Sequence, residues 1–97
     1  DKEMSTAGQK IKHNILIILN HYEYLSIGIK NDIFDEQTIK KLSRGALIKA
    51  YTVFGTYIKH LRDEHSKNPN LLIEMEKLAK KWKSKSILER WESFRNP

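Results

Sequence analysis

The sequence predicts an all-α fold, a small helical bundle of four or five helices. Apolar residues recur every three or four positions, and no alternating run survives five residues. Only two prolines and four glycines interrupt the 97 residues, mostly at plausible joints. A chain of this length makes one domain, residues 1–97, with one hydrophobic core. It begins at Asp1 rather than Met, so a fragment of a longer chain is expected.

The first helix is expected over residues 7–29. Thr6 and Gln9 form a capping box, in which each side chain satisfies a free backbone N–H. Ile11, Ile15, Ile18, Tyr22, Leu25 and Ile29 share one stripe, while Leu16, Ile17, Tyr24 and Ile27 lie elsewhere. Such a helix should be central, with neighbours on several sides. Gly28 near its end is the expected left-handed exit.

The second helix is expected over 36–44, with Asp35 as N-cap and Phe34 and Ile39 as a hydrophobic staple. Gly45 then marks a bend or a close packing point. The third helix covers 46–65, with Leu47, Tyr51, Phe54, Ile58 and Leu61 on one face. Asn68 as N-cap and Pro69 in the first turn start the fourth, over 69–83. Its stripe is Leu71, Met75, Leu78 and Trp82. In an unbroken helix Ile87, Leu88, Trp91 and Phe94 would point to the opposite side. A break at Lys83–Ser86 is therefore expected, with Ser86 and Glu89 capping a fifth helix over 87–95. The alternative is one long helix whose second apolar face meets a partner chain.

Net charge is +6 and unevenly spread. Residues 1–35, 36–66 and 67–97 carry −1, +3 and +4. The positive field favours anionic partners as well as solubility. There is no cysteine, so disulfides and thiolate metal sites are excluded, in keeping with a reducing cytoplasm. The longest uninterrupted apolar run, Ile15 to Leu19, is far short of the roughly 20 residues that span a bilayer.

Residues 15–82 resemble a bacterial family described as a domain of unknown function, number 4760. The resemblance is carried by Ile18-Leu-Asn-His-Tyr-Glu-Tyr-Leu-Ser-Ile-Gly-Ile, Asp32-Ile-Phe-Asp-Glu and the Arg44-Gly45 joint. Tyr51, Tyr57-Ile-Lys-His-Leu-Arg and Glu76-Lys-Leu-Ala-Lys-Lys-Trp complete it. It implies a helical domain, often downstream of a membrane segment, at the inner face of the membrane in a bacterial or phage-related protein. It implies no reaction, cofactor or catalytic residue.

Glu23 lies between Tyr22 and Tyr24 among apolar positions, where a carboxylate must be paired, hydrogen-bonded or protonated. It is expected to fix helix register as a buried structural polar group, with Arg44, Arg62, Tyr51 and His60 as candidate partners. A general base or a ligand contact is the functional alternative. His13, His21, His60 and His65 form no metal motif, since a zinc site needs three or four protein ligands. No Gly-x-Ser-x-Gly, phosphate-cradling glycine loop or cofactor motif occurs.

Lys77, Lys80, Lys81, Lys83 and Lys85 form an acid-free run that is either a solvated face or a contact for nucleic acid or acidic lipid. Lone Trp82 and the scarcity of Arg there argue against base readout. Trp91 and Phe94, beside Arg90 and Arg95, form a candidate protein interface, because aromatic and Arg side chains dominate binding hot spots. The expected function is a non-enzymatic interaction or regulatory domain that docks onto a protein partner or a second copy of itself. Anion binding through the lysine face is the alternative.

Overall fold

The computed structural model describes the backbone of residues 6–65 and 68–95, and the side chains of 6–63 and 68–84. Three long helices make up the fold: α1 (Thr6–Lys30), α2 (Glu36–His60) and α3 (Ile73–Arg95). A π-turn, Leu61–His65, extends the end of α2. The all-α class holds, but the count of four or five helices is corrected to three.

The expected joint at Gly45 does not exist. The buried face of α2 runs through Ile39, Leu47, Ala50 and Ile58 in one helical phase. A break at Gly45 would throw its two halves out of register against α3. The glycine neither bends the helix nor packs closely: a Cβ at position 45 would meet nothing within 4 Å.

α3 departs from expectation at both ends. Residues 69–72 form a turn rather than helix. Leu72 has φ 60°, a left-handed conformation that no helix can run through. Asn68 does act as a local cap, accepting the N–H of Asn70 at 3.0 Å and that of Leu71 at 3.2 Å. It organises the turn, and α3 starts four residues later, at Ile73. Beyond Trp82 the helix continues to Arg95 without the expected break at Lys83–Ser86. A Ser-x-x-Glu sequence is compatible with a helix interior.

α3 is the hub of the bundle. It packs against both α1 and α2, which touch each other least. Leu72, Met75, Leu78, Ala79 and Trp82 from its first half meet Leu19 of α1 and Leu47, Ala50 and Ile58 of α2. The expected central role of α1 is thus corrected. Its buried line is turned toward Leu19, Ser26 and Gly28, leaving Ile11, Ile17, Ile18, Tyr24 and Ile27 exposed. One apolar side of α1 suffices to cover α3.

The α1–α2 connection also differs from its sequence reading. Gly28 stays helical, and the left-handed residue is Asp32, with φ 59°. Ile33 N–H donates to the Gly28 carbonyl at 2.8 Å and Asp32 N–H to that of Ile29 at 3.1 Å, the two bonds of a Schellman ending. Gly28 is needed for a different reason. Phe34 lays its ring where a Cβ at position 28 would stand, edge-on to Tyr24 with centroids 5.7 Å apart. Asp35 then caps α2 as expected, accepting from the Thr38 N–H at 3.0 Å and its hydroxyl at 2.7 Å. Those bonds hold its carboxyl below the ordinary carboxylate range.

Candidate functional site

The first turn of α3 is where charged groups from all three helices converge. Its local cap position is Leu72, whose side chain offers no acceptor. Glu23 of α1 supplies one: its carboxylate accepts the Met75 N–H at 2.7 Å and approaches the Glu74 N–H at 3.4 Å. These are the helix N–H groups that a local Ser or Asp cap would satisfy. Glu23 thus ties α1 to the first turn of α3, from a half-buried rather than the expected buried position. Its partners are backbone donors of α3, not the candidates Arg44, Arg62, Tyr51 and His60. The carboxylate also meets the positive end of the α3 dipole.

Arg62 and Tyr51 converge instead on Glu76. Arg62 Nη1 lies 2.8 Å from Glu76 Oε1, and the Tyr51 hydroxyl donates to the same oxygen at 3.1 Å. Arg62 Nε donates to the Leu71 carbonyl at 2.7 Å, tying the π-turn to the connection before α3. Arg62 Nη2 is buried and has no hydrogen-bond partner among the described residues. The hydrogen bond from Arg62 holds the Glu76 carboxyl below its usual range. Burial, then the bond to Glu76, pushes the Tyr51 phenol up. Both shifts carry these groups away from neutral pH. Beside this cluster runs an open groove of about 540 Å³, bordered by Thr52, Gly55, Thr56 and Lys59.

A third tie closes the far end of the bundle. Glu36, in the first turn of α2, accepts the indole N–H of fully buried Trp82 at 3.0 Å and pairs with Lys81 at 3.0 Å. With Arg62–Glu76 near the other end, these contacts set α2 antiparallel to α3. Lys30 of α1 pairs with Glu74 at 3.1 Å.

Three lysines of the expected face lie near carboxylates, two of which also serve Lys30 and Arg62. Lys80 lies 3.5 Å from Glu76, Lys81 3.0 Å from Glu36 and Lys77 3.9 Å from Glu74. Lys83 is exposed. Lys85, Arg90, Trp91, Phe94 and Arg95 belong to α3, but their side chains lie outside the described residues. Among the described residues no three His, Asp or Glu side chains converge as a metal site would require. No described helix is long and apolar enough to cross a membrane.

Sequence reasoning did not single out Glu36, Glu74 or Glu76. A partial signal existed for the last: Tyr51 and Arg62 are eleven residues apart, about three helical turns, and so face the same way. Nothing in the sequence said which carboxylate from α3 would meet them.

A family model for a domain of unknown function (DUF4760) matches residues 1–82. The chain belongs to this family. The match takes in α1, α2 and α3 as far as Trp82, so each of the three inter-helix ties falls inside the family's span. No curated protein and no solved structure matches the chain significantly.

Proposed function

We propose that the chain is a non-enzymatic helical docking domain that binds a protein through the outer faces of its helices. One observation carries this reading: large apolar side chains stand exposed on the helices and on the α1–α2 connection, away from the core. Tyr24 is 63% exposed, Ile33 69% and Leu42 79%. Exposed apolar surface in contiguous patches marks interaction sites. The Glu23, Glu76 and Glu36 clusters are spent on holding helices together, which leaves little for chemistry. Trp91, Phe94, Arg90 and Arg95 on the second half of α3 extend the proposed interface; the unbroken helix is the arrangement in which a partner would cover them.

The membrane-associated setting is part of the proposal. Ile11, Ile17 and Ile18 are exposed beside Lys10 and Lys12, and no acid occurs from Thr6 to Tyr22. Exposed apolar residues beside lysines suit the surface of an acidic bilayer. Anion binding through Lys77–Lys85 has less behind it, because Lys77, Lys80 and Lys81 already face carboxylates.

The test is photo-crosslinking in cells that produce the protein, with the reactive residue placed in turn at Tyr24, Leu42 and Trp91. A discrete protein adduct from at least one position is expected. Absence of any protein adduct from all three positions would overturn the docking reading.

A further inference from the structure

The outer side of α2 carries lysines that stand away from the carboxylates of the domain. From Gln37 to Arg62 the chain carries six Lys and Arg and no Asp or Glu, and of the six Arg62 is the one paired with Glu76. The side of α2 away from the core presents Leu42, Gly45, Ala46, Lys49, Val53 and Thr56, spaced as one helical stripe. Leu42 is 79% and Val53 60% exposed. Lys49 and Lys59 are exposed and make no ion pair among the described residues. The lysines of α3 provide the contrast, since most of them face a carboxylate.

From this face we infer that α2 docks an acidic amphipathic helix of another protein. The inference rests on the docking reading above and names its partner. Leu42 and Val53 stand roughly 16 Å apart along the axis, with the small residues Gly45 and Ala46 nearer Leu42. Open space over Gly45 lets a second helix approach closely, while the two apolar residues anchor its ends. Lys49 within the stripe and Lys59 along its edge favour carboxylates opposite them.

The same features argue against other occupants. A second copy of α2 would bring as its acid only Glu36, which Trp82 and Lys81 already occupy, and would set its own lysines into a lysine-bearing stripe. The carboxylates of Glu23, Glu36, Glu74 and Glu76 are all engaged within the domain. Nucleic acid gains nothing from exposed Leu42 and Val53, and its phosphates need no small-residue valley.

The test uses a synthetic helical peptide with leucines along one face and glutamates flanking them, titrated into the full 97-residue chain and followed by amide NMR shifts. Shifts along residues 42–53 are expected. Affinity should fall at least tenfold for Leu42→Ser/Val53→Ser, both exposed and therefore compatible with folding. Lys49→Glu should weaken the acidic peptide and gain binding to a peptide with lysines in place of the glutamates. Unchanged binding by the Leu42→Ser/Val53→Ser variant overturns the inference. So do shifts on α2 with a short DNA duplex or acidic vesicles but not with the peptide. A silent α2 together with protein crosslinks from Tyr24 or Trp91 also overturns it, while leaving the docking reading intact.

Discussion

The Glu23 carboxylate caps α3 from another helix, accepting the Met75 N–H at 2.7 Å across 52 residues of chain. Helix N-termini are ordinarily capped by the residue just before them. Here that residue is Leu72, held left-handed, and the acceptor comes from α1. The start of α3 thus depends on α1 being docked, which couples formation of the hub helix to assembly of the bundle.

Replacing Glu23 should weaken the fold accordingly. Glu23→Ala leaves two helix N–H groups without an acceptor and should cost on the order of 1–2 kcal/mol. Glu23→Gln keeps an acceptor oxygen and should cost less. Urea unfolding of both variants measures the difference, and equal losses would mean that the charge, not the hydrogen bond, carries the effect.

The glycines should respond in opposite directions. Gly28→Ala puts a methyl into the Phe34 ring and should destabilise by about 1–3 kcal/mol. Gly45 and Gly55 are helical with empty space around them, so Ala at either should stabilise by about 0.5–1 kcal/mol. Thermal melts of the three single variants decide the matter. A destabilising Gly45→Ala would show that position 45 is not an ordinary open helix site.

The Arg62–Glu76–Tyr51 cluster predicts two pH limbs. Glu76 has a lowered folded-state pKa, so its stabilisation is present above the unfolded value of about 4.3 and is lost as pH falls through the lower folded value. Tyr51 has a raised one, so its contribution is complete below the unfolded value of about 10 and is lost as pH rises through the higher folded value. Glu76→Gln should lower stability at neutral pH by roughly 1–3 kcal/mol and flatten the acid limb. The slope that remains belongs in part to Asp35 and should shrink in Asp35→Asn. Tyr51→Phe should remove the alkaline limb. Urea midpoints from pH 3 to 11 read both, and an acid limb unaltered by Glu76→Gln would contradict the assignment.

Continuity of α3 can be checked at Ile87. Had Ser86 been an N-cap, proline at position 87 would occupy a first-turn site, where it is well tolerated. Inside a continuous helix it removes a hydrogen bond and clashes with the preceding turn, at a cost of about 3 kcal/mol or more. Ile87→Pro should therefore lose helical circular dichroism. Full retention of the signal would favour two helices.

Much of the framework was legible locally. Asp35 capped α2 as its type predicts, and the Met75–Leu78–Trp82 stripe is buried as its spacing requires. The errors came where a local signal competed with packing. Gly45 read as a joint because glycine is a poor helix former, yet a helix tolerates a cost of about 1 kcal/mol when its buried face continues on both sides. Pro69 and Asn68 read as a helix start, but Leu72 turns the chain out of helix before α3 begins.

Spacing and residue type within a few turns were enough for the all-helical class, the apolar faces of α2 and early α3, the α2 cap and the excess of positive charge after residue 35. Only the tertiary structure decided that α3 is the hub, that Glu23 caps it and that Glu76 receives Arg62 and Tyr51. It also decided which lysines face a carboxylate. The physical reason is reach: a carboxylate's partner is set by which helix ends come within about 3 Å of it, and that distance is fixed by the packing of helices far apart in the chain.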